Sequence, residues 1–171
     1  MRVMQVHNTY VHRGGEDAVV EAEAALLRSY GHEVRELRAS NALGVSAGYL
    51  SLVRTLLSSA WNRDVYQRAR AVIRDFRPDI VHAHNFWFML SPSIFGAAHD
   101  EGVPTLLTLH NYRLVCPGAL LMRGGRICEL CLGGSPWHAV PRACYRDSMV
   151  QTALLAHMVA GNLHGRTWDE L

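Results

Sequence analysis

The hydrophobic residues of this chain follow two alternating patterns, short apolar runs and longer stretches with helical spacing. The apolar runs predict four strands, at residues 3–7, 32–37, 80–84 and 103–109. In the stretches between them, apolar residues recur every three or four positions, which is the spacing of an amphipathic helix. Strands separated by helices predict a parallel sheet that is covered on both faces and joined by right-handed crossovers. The expected fold class is therefore α/β, a Rossmann-like doubly wound domain.

The first predicted helix begins at Glu16 and ends before Gly31, a residue type that favours the left-handed backbone found after helix ends. We predict that Glu21 and Glu23 lie off its apolar stripe, which consists of Val19, Ala22, Leu26, Leu27 and Tyr30. Further helices are predicted at residues 50–61, 65–76, 91–102 and 148–163. The arginines around the helix at 65–76 are interpreted as a solvated face rather than a binding patch; they are Arg63, Arg68, Arg70 and Arg74.

The composition is that of a folded domain with a real core. Of its 171 residues 49% are hydrophobic and 19% are charged, which excludes a disordered tail and a coiled coil. The net charge of +2 is too small to indicate nucleic acid as a partner. The basic residues are all Arg, which excludes lysine Schiff-base chemistry and the phosphate-loop lysine. We find no signal peptide and no membrane span, and so expect a cytoplasmic protein whose cysteines are reduced or metal-bound.

A pair of glycines, Gly14 and Gly15, follows the first strand and opens the first helix. Glycines at this position let the backbone approach a ligand, and the N–H groups of a helix start favour an anion. The alternative is a tight strand-to-helix turn that needs glycine for its own geometry. The segment does not match the GxGxxG pattern, so a nicotinamide cofactor is disfavoured.

Histidines stand at the carboxyl ends of three predicted strands, at His7, His84 and His110. Ligands of open α/β sheets bind at this edge, so we expect the three histidines to face one shared cleft. His82 and His84 share a strand face and, with Asn85 beyond the strand end, either contact substrate hydroxyls or tie the strand to its neighbours. A metal site that uses both histidines is disfavoured, because no carboxylate is close to them in the sequence.

Four cysteines in the spacing Cys-x11-Cys-x2-Cys-x12-Cys predict a metal clamp. Gly124 and Gly125 predict a two-residue hairpin that leads into the Cys-x2-Cys knuckle. One knuckle with a single cysteine on either side can place four thiolates around a tetrahedral ion. Structural zinc is the first choice, an iron–sulfur cluster the second and disulfides the third; the ligands are Cys116, Cys128, Cys131 and Cys144.

Three segments of the chain together resemble a known enzyme family. They are Val6-His7-Asn8 with Arg13-Gly14-Gly15-Glu16-Asp17, Asp79-Ile80-Val81-His82-Ala83-His84-Asn85, and Thr108-Leu109-His110-Asn111-Tyr112-Arg113-Leu114-Val115-Cys116-Pro117-Gly118. In this order they resemble the N-terminal domain of family 4 glycosyltransferases, which have the two-domain GT-B fold. The four-cysteine loop is similar to that of a bacterial subgroup of the family.

The resemblance implies a retaining glycosyltransferase that moves a sugar from a nucleotide-diphosphate sugar to a saccharide or lipid-linked acceptor. His110 matches the catalytic histidine that contacts the donor sugar at the reacting centre. Gly14 and Gly15 match the loop that approaches the donor diphosphate and the acceptor, and His84 and Asn85 match the lining of the acceptor cleft. The family generally needs no catalytic metal, so the cysteine site is expected to be structural.

In the family a second, C-terminal Rossmann domain binds most of the nucleotide, and the chain stops before such a domain. We therefore expect residues 1–171, with a Cys-rich loop at 114–146, to be the acceptor-side half of a longer enzyme and inactive alone. A lipid-linked acceptor would fit peripheral association with the inner face of the membrane. The alternative from another class is a non-catalytic Rossmann-like binding module stapled by a structural metal. A hydrolase is disfavoured, because it needs a carboxylate clustered with the histidines.

Overall fold

A four-stranded parallel sheet forms the centre of the fold. The computed structural model describes residues 1–9, 13–40, 58, 60–87, 89–165 and 167, so most of the helix predicted at 50–61 lies outside the described residues. The strands are β1 (Arg2–Thr9), β2 (Glu33–Ser40), β3 (Ile80–Asn85) and β4 (Thr105–Leu107), in the order β2-β1-β3-β4. All three pairings are parallel, which confirms the predicted Rossmann-like α/β fold.

The strand order places the sheet's switch point between β1 and β3. The helices of the described residues are α1 (Gly15–Ser29), α2 (Arg63–Phe76), α3 (Ser93–Asp100) and α4 (Met149–His164). β2 and β3 lie on opposite sides of β1 in the sheet. Because both crossover connections are expected to be right-handed, α1 and α2 lie on opposite faces of the sheet. The crevice at the carboxyl ends of two such strands is where open α/β sheets bind ligands.

The two faces of β1 and β3 differ in chemistry. One face is apolar and fully buried, with Met4, Val6, Val81 and Ala83 in its core. The other face carries polar side chains that are also buried, among them Gln5, His7, His82 and His84. Buried polar groups need hydrogen-bond partners, so the helix that covers this face must supply polar side chains.

Helix α1 covers the polar face, and this overturns the predicted apolar stripe. Val19, Leu26 and Tyr30 are exposed by 46, 57 and 76%, whereas Asp17, Val20 and Ala24 are buried. Glu23, predicted off the buried face, points instead towards the strands and contacts Gln5. The prediction was wrong because it assumed an apolar surface under the helix.

Helices α2 and α3 are joined by ion pairs. Glu101, after α3, accepts from Arg70 Nε at 2.6 Å and from Arg74 Nε at 3.0 Å. Arg63 and Arg68 are exposed, as predicted, so the arginines of α2 do not form one free basic patch. Asn62 begins the helix by accepting from the backbone N–H groups of Asp64 and Val65.

Strand β4 is shorter than the predicted strand at 103–109. The Thr108 N–H still donates to the Ala83 carbonyl at 2.9 Å, so the chain runs beside β3 to that residue and then leaves the sheet. Leu109 is exposed by 64%. The early departure leaves His110 on a turn beyond the strand rather than in it.

The chain divides into two compact units, Met1–His110 with Asp169–Leu171, and Asn111–Trp168. The second contains a hairpin of β5 (Met122–Arg123) and β6 (Arg126–Ile127), a 3-10 helix η1 (Pro136–Arg142) and α4. Gly124 and Gly125 have φ of 55° and 73°, as a type I′ turn requires, which confirms the predicted two-residue hairpin. The Cys-rich loop predicted at 114–146 lies within this unit. In the described part of the chain, no helix is both long and apolar enough to span a membrane.

Candidate functional site

The candidate site lies at the carboxyl ends of β1 and β3. Along these strands Val6 pairs with Ala83 but His7 pairs with Asn85, so His84 is an extra residue in the ladder. Such a bulge redirects side chains and is common next to functional sites. The bulge therefore sits at the switch point, on a histidine that the sequence had already singled out.

A chain of three histidines follows this edge of the sheet. The His82 and His84 rings have centroids 4.2 Å apart, which confirms that they share one face. His84 Nδ1 lies 3.2 Å from His110 Nε2, and the two rings stack with centroids 5.5 Å apart. His82 Nε2 lies 2.8 Å from Thr108 Oγ1. The histidines that end the third and fourth strands are thus brought together, as predicted.

A carboxylate joins this group from α1. Glu23 Oε1 lies 2.7 Å from His82 Nδ1 and 3.6 Å from His84 Nε2, and it accepts from Gln5 Nε2 at 3.3 Å. Proximity in sequence was the wrong test for a carboxylate partner, because Glu23 is 59 residues before His82 and reaches it through the fold. The argument that disfavoured a metal site at these histidines therefore fails, and so does the argument that disfavoured a hydrolase for want of a carboxylate near them.

The electrostatics of the site favour neutral imidazole rings. Burial lowers the pKa of His84, the neighbouring His82 lowers it further, and it falls to about 4 although Glu23 acts in the opposite direction. Burial also lowers the pKa of His82, against the opposing effect of Glu23. Both rings are therefore uncharged at neutral pH, and each offers one nitrogen as donor and the other as acceptor.

His7, which lies close enough to His84 to contribute to its lowered pKa, is bound by a carboxylate of its own. His7 Nε2 lies 2.8 Å from Asp17 Oδ1, and Asp17 Oδ2 accepts from the Gly14 N–H at 2.8 Å. Burial alone would raise the pKa of Asp17, but the hydrogen bonds from Gly14 and His7 and the charge of Arg13 hold it below its usual range. His7 is only 1% exposed, so it anchors the glycine turn rather than facing an open cleft as predicted.

The glycine turn itself is not explained by local geometry. Gly14 has an extended backbone with φ of −119°, and neither glycine has a positive φ. A Cβ on Gly15 would meet no described atom within 4 Å, and a Cβ on Gly14 would come no closer than 3.9 Å, to Asp17. Because neither a tight turn nor internal packing requires glycine here, the observation favours the interpretation that a ligand approaches the backbone.

Asn85 has both ends of its amide engaged within the chain. Its Nδ2 donates to the Asn8 carbonyl at 3.0 Å, and its Oδ1 accepts from the Trp87 N–H at 3.1 Å. The side chain is buried. In this conformation Asn85 fixes the end of β3 against β1 rather than presenting a free polar group to an acceptor.

The four cysteines lie in the second unit as free thiols. Burial raises the pKa of the Cys131 thiol, and the neighbouring thiols Cys116, Cys144 and Cys128 raise it further. Burial likewise raises the pKa of Cys144, with contributions from Cys116 and Cys128. The four sulfur atoms are thus electrostatic neighbours. A closer set of potential metal ligands lies elsewhere. Among the described residues, the group whose donor atoms all lie within 4.8 Å of one another consists of Glu23, His82 and His84.

Glu23, Gln5 and Asp17 are the site residues that sequence reasoning missed. One signal could have found them. Polar residues alternate along both buried strands, at Gln5 and His7 and again at His82 and His84, which marks one face as polar. A helix covering such a face is expected to turn its carboxylates inward.

Comparison with known families identifies the chain. The family model of Glycosyltransferase Family 4 matches residues 13–129, which is more than half of the sequence and contains the glycine turn, β3 and His110. A search of curated proteins finds no match to the chain. The matched segment and the Rossmann-like sheet agree, and the chain belongs to glycosyltransferase family 4.

Proposed function

We propose that this chain forms the acceptor-side half of a retaining glycosyltransferase that uses a nucleotide-diphosphate sugar. The observation that carries the proposal is the placement of His110 beyond β4, with its Nε2 3.2 Å from His84 Nδ1 at the carboxyl edge of the sheet. Its ring is partly exposed while its partner is buried. A histidine fixed on one side and open on the other is suited to contact a sugar at the reacting centre.

The roles of the other residues follow from their contacts. Gly14 and Gly15 would let the backbone approach the donor diphosphate, which fits the lack of any described atom closer than 3.9 Å to the Cβ positions of the two glycines. His84, whose side chain is fully buried, would set the position of His110 from beneath the acceptor side rather than contact the acceptor itself. Asn85 would maintain the shape of the acceptor side by tying β3 to β1.

These residues alone are a poor site for a charged donor. Helix α1 carries Glu16 and Asp17 in its first turn, and Asp17 already occupies the Gly14 N–H. Arg13, the nearest cation in sequence, pairs with Glu21. A diphosphate approaching this helix start would meet two carboxylates and little free positive charge, so we propose that a second domain supplies most of the nucleotide binding.

We further propose that the four cysteines hold one structural zinc ion. Cys116 and Cys128 are close enough to Cys131 and Cys144 to contribute to the raised pKa values of those two thiols, as expected of a set that shares one site. Several nearby residues, including Ala119 and Ala143, have the left-handed backbone that L residues rarely adopt. Such a loop needs an external constraint to persist, and four thiolates around zinc would provide it.

The test of the function compares two histidine variants in a protein that contains both domains. We expect His110→Ala to lower transfer by ~10²-fold or more, as for the loss of a positioned group at a reacting centre. His99→Ala, on the exposed end of α3, is the matched control and should leave transfer unchanged. Equal transfer by both variants would refute the role of His110.

A second measurement tests the division of labour. Calorimetric titration of nucleotide sugars into the 171-residue chain should detect only feeble binding. Micromolar binding would show that the donor site is complete within these residues, and would contradict the proposed need for a second domain. Binding of a ligand of another class, with no transfer in any form of the protein, would favour the non-catalytic binding module.

A further inference from the structure

We propose that Glu23, His82 and His84 form a binding site for a divalent transition-metal ion, zinc foremost, beneath the edge that carries His110. The donor atoms are a Glu23 carboxylate oxygen, His82 Nδ1 and His84 Nε2, and all lie within 4.8 Å of one another. The nearest pair, Glu23 Oε1 and His82 Nδ1, is 2.7 Å apart. The site is separate from the cysteines, which belong to the other compact unit.

The fold presents these ligands from rigid elements. His82 and His84 are two residues apart on β3, so both project from the same face of the strand. Glu23 comes from α1, the helix that packs on that face. Sites built on strands and helices hold their ligands more precisely than sites on loops. Entry of an ion requires only that Glu23 and His82 move slightly apart from their present separation of 2.7 Å.

The ligand histidines have the supporting hydrogen bonds that metal sites use. His82 presents Nδ1 to the site while its Nε2 lies 2.8 Å from Thr108 Oγ1. His84 presents Nε2 while its Nδ1 lies 3.2 Å from His110 Nε2. Metal-bound histidines characteristically donate their second ring N–H to such a partner, which fixes the tautomer and the ring orientation.

The ring of His84 supplies an independent sign that something is bound here. Its side chain is 0% exposed, and its Nε2 has no hydrogen-bond partner within the described part of the chain. Glu23 Oε1 is 3.6 Å away, beyond hydrogen-bond length. A hydrogen-bond network without an ion satisfies His82 through Glu23 and Thr108 but leaves this buried nitrogen unsatisfied. An ion between Glu23 and the two rings satisfies all three groups.

The chemistry of the ligand set selects the class of ion. Two imidazole nitrogens and one carboxylate oxygen suit zinc and neighbouring first-row divalent metals, whereas magnesium and calcium prefer oxygen ligands alone. Gln5 is buried beside Glu23, and its Oε1 is also without a partner among the described residues. Rotation of that amide would offer an oxygen to a fourth position.

Metal binding would also determine which nitrogen carries the proton in the hydrogen bond between His84 and His110. With His84 Nε2 on the ion, the ring carries its proton on Nδ1 and donates to His110 Nε2. The His110 ring then keeps its own proton on Nδ1. The assignment of the metal site does not rest on any role of His110 in sugar transfer.

The experiment is a cobalt titration of the metal-free 171-residue chain, followed by visible absorption. Cobalt on thiolates gives intense charge-transfer bands, whereas cobalt on imidazole and carboxylate gives ligand-field bands only, so the two sites are read separately. Glu23→Gln keeps the size of the side chain and removes its charge, and Glu21→Gln on the same helix is the matched control. Circular dichroism establishes that each variant is folded.

We expect the wild-type chain and Glu21→Gln to show a saturable phase without charge transfer, and Glu23→Gln to weaken that phase by ~100-fold or more. Absence of the phase in the folded wild-type chain, or equal affinity in the two variants, would overturn the proposal. Nitrogen NMR of the wild-type histidine rings provides a readout without any variant. Zinc should shift His82 Nδ1 and His84 Nε2, and unchanged resonances with saturating zinc would equally overturn it.

Discussion

His84 and His110 come from neighbouring strands and meet ring to ring, with His84 Nδ1 3.2 Å from His110 Nε2. One ring is buried and the other partly exposed. The bulge at His84 and the early end of β4 both contribute to this contact, because each moves a side chain out of the regular ladder. His110, which is partly exposed, is thereby oriented by His84, which is buried away from solvent.

Replacement of His84 should leave the ring of His110 without the hydrogen-bond partner that orients it. In a protein with both domains, we expect His84→Gln to lower the rate of transfer by about 10-fold or more, as for the loss of a hydrogen-bond partner that orients a functional group. The effect should fall on kcat more than on KM, because the positioning of His110 changes rather than the binding surface. An unchanged kcat in a folded variant would show that the contact does not position His110.

Gly15 at the start of α1 and Gly31 after its end allow two reasons for glycine to be compared, close approach of a ligand and a left-handed backbone. Gly15→Ala should be neutral or stabilising by about 0.5–1 kcal/mol, because its φ is not positive and no described atom lies within 4 Å of the added methyl group. Gly31→Ala should destabilise by about 1 kcal/mol, because Gly31 has a φ of 78°. Urea unfolding measures both changes.

Transfer should respond in the opposite order in a protein with both domains. Gly15→Ala is expected to lower transfer by roughly 10-fold or more, because a methyl group at a point of close ligand approach displaces the reacting groups. Gly31→Ala should leave the activity of the folded fraction unchanged. Full activity of the Gly15→Ala variant would show that no ligand requires glycine at this position, and would favour a purely structural role for the turn.

The elements of the fold were predictable because their signals are local. The apolar runs located all four strands, and Gly124-Gly125 located the hairpin, since a two-residue turn with positive φ at both positions needs such residues. The inward face of α1 was not predictable from its own periodicity. Which face a helix buries depends on the surface beneath it, and here Gln5 and His82 make that surface polar.

The candidate site was predictable in position but not in composition. The rule that ligands bind at the carboxyl ends of parallel strands placed His84 and His110 together. Glu23 escaped because its contact with His82 joins a helix to a strand 59 residues later. Asn85 looked available for a substrate from the sequence, and only the packing shows that its amide is engaged with Asn8 and Trp87.

The His7–Asp17 pair should make stability depend on pH in the acid range. The pKa of Asp17 lies below its ordinary value of 3.8, because hydrogen bonds and Arg13 outweigh the effect of burial. A depressed carboxyl pKa gives stability that is present above the unfolded-state pKa and is lost as pH falls through the folded-state pKa. The contribution should therefore be complete above about pH 5, begin to decline near pH 4, and be lost as pH falls through the still lower folded-state pKa.

Asp17→Asn tests this dependence directly. At pH 6 the variant should be less stable than the wild-type chain by about 1–3 kcal/mol, as for the loss of a buried charged hydrogen-bond partner. At pH 3 the difference should shrink, because the Asp17 carboxyl of the unfolded chain then carries a proton that the folded chain binds less readily. Asp64→Asn, an exposed aspartate in the first turn of α2, is the control. A difference between Asp17→Asn and wild type that stays constant from pH 6 to pH 3 would contradict the assignment.

The cysteine loop offers a test that separates its stability from that of the sheet. Cys128 follows β6, and its N–H donates to the Leu121 carbonyl at 2.9 Å, so the hairpin directly orients this thiol. Cys128→Ser keeps the hydrogen bond and removes one thiolate. We expect it to weaken cobalt binding at the thiolates, to lower the intensity of their charge-transfer bands, and to speed amide exchange in residues 111–147.

The sheet should be unaffected by the same change. Amide exchange in β1 and β3 is expected to match that of the wild-type chain, because these strands belong to the other compact unit and pair with one another. Ala143→Gly is the matched loop control. Ala143 has a φ of 47°, so glycine should relieve strain there by about 0.5–1 kcal/mol without touching a thiol. If Cys128→Ser leaves both the cobalt spectrum and the loop exchange unchanged, the four cysteines do not form one metal site, and their spacing has another cause.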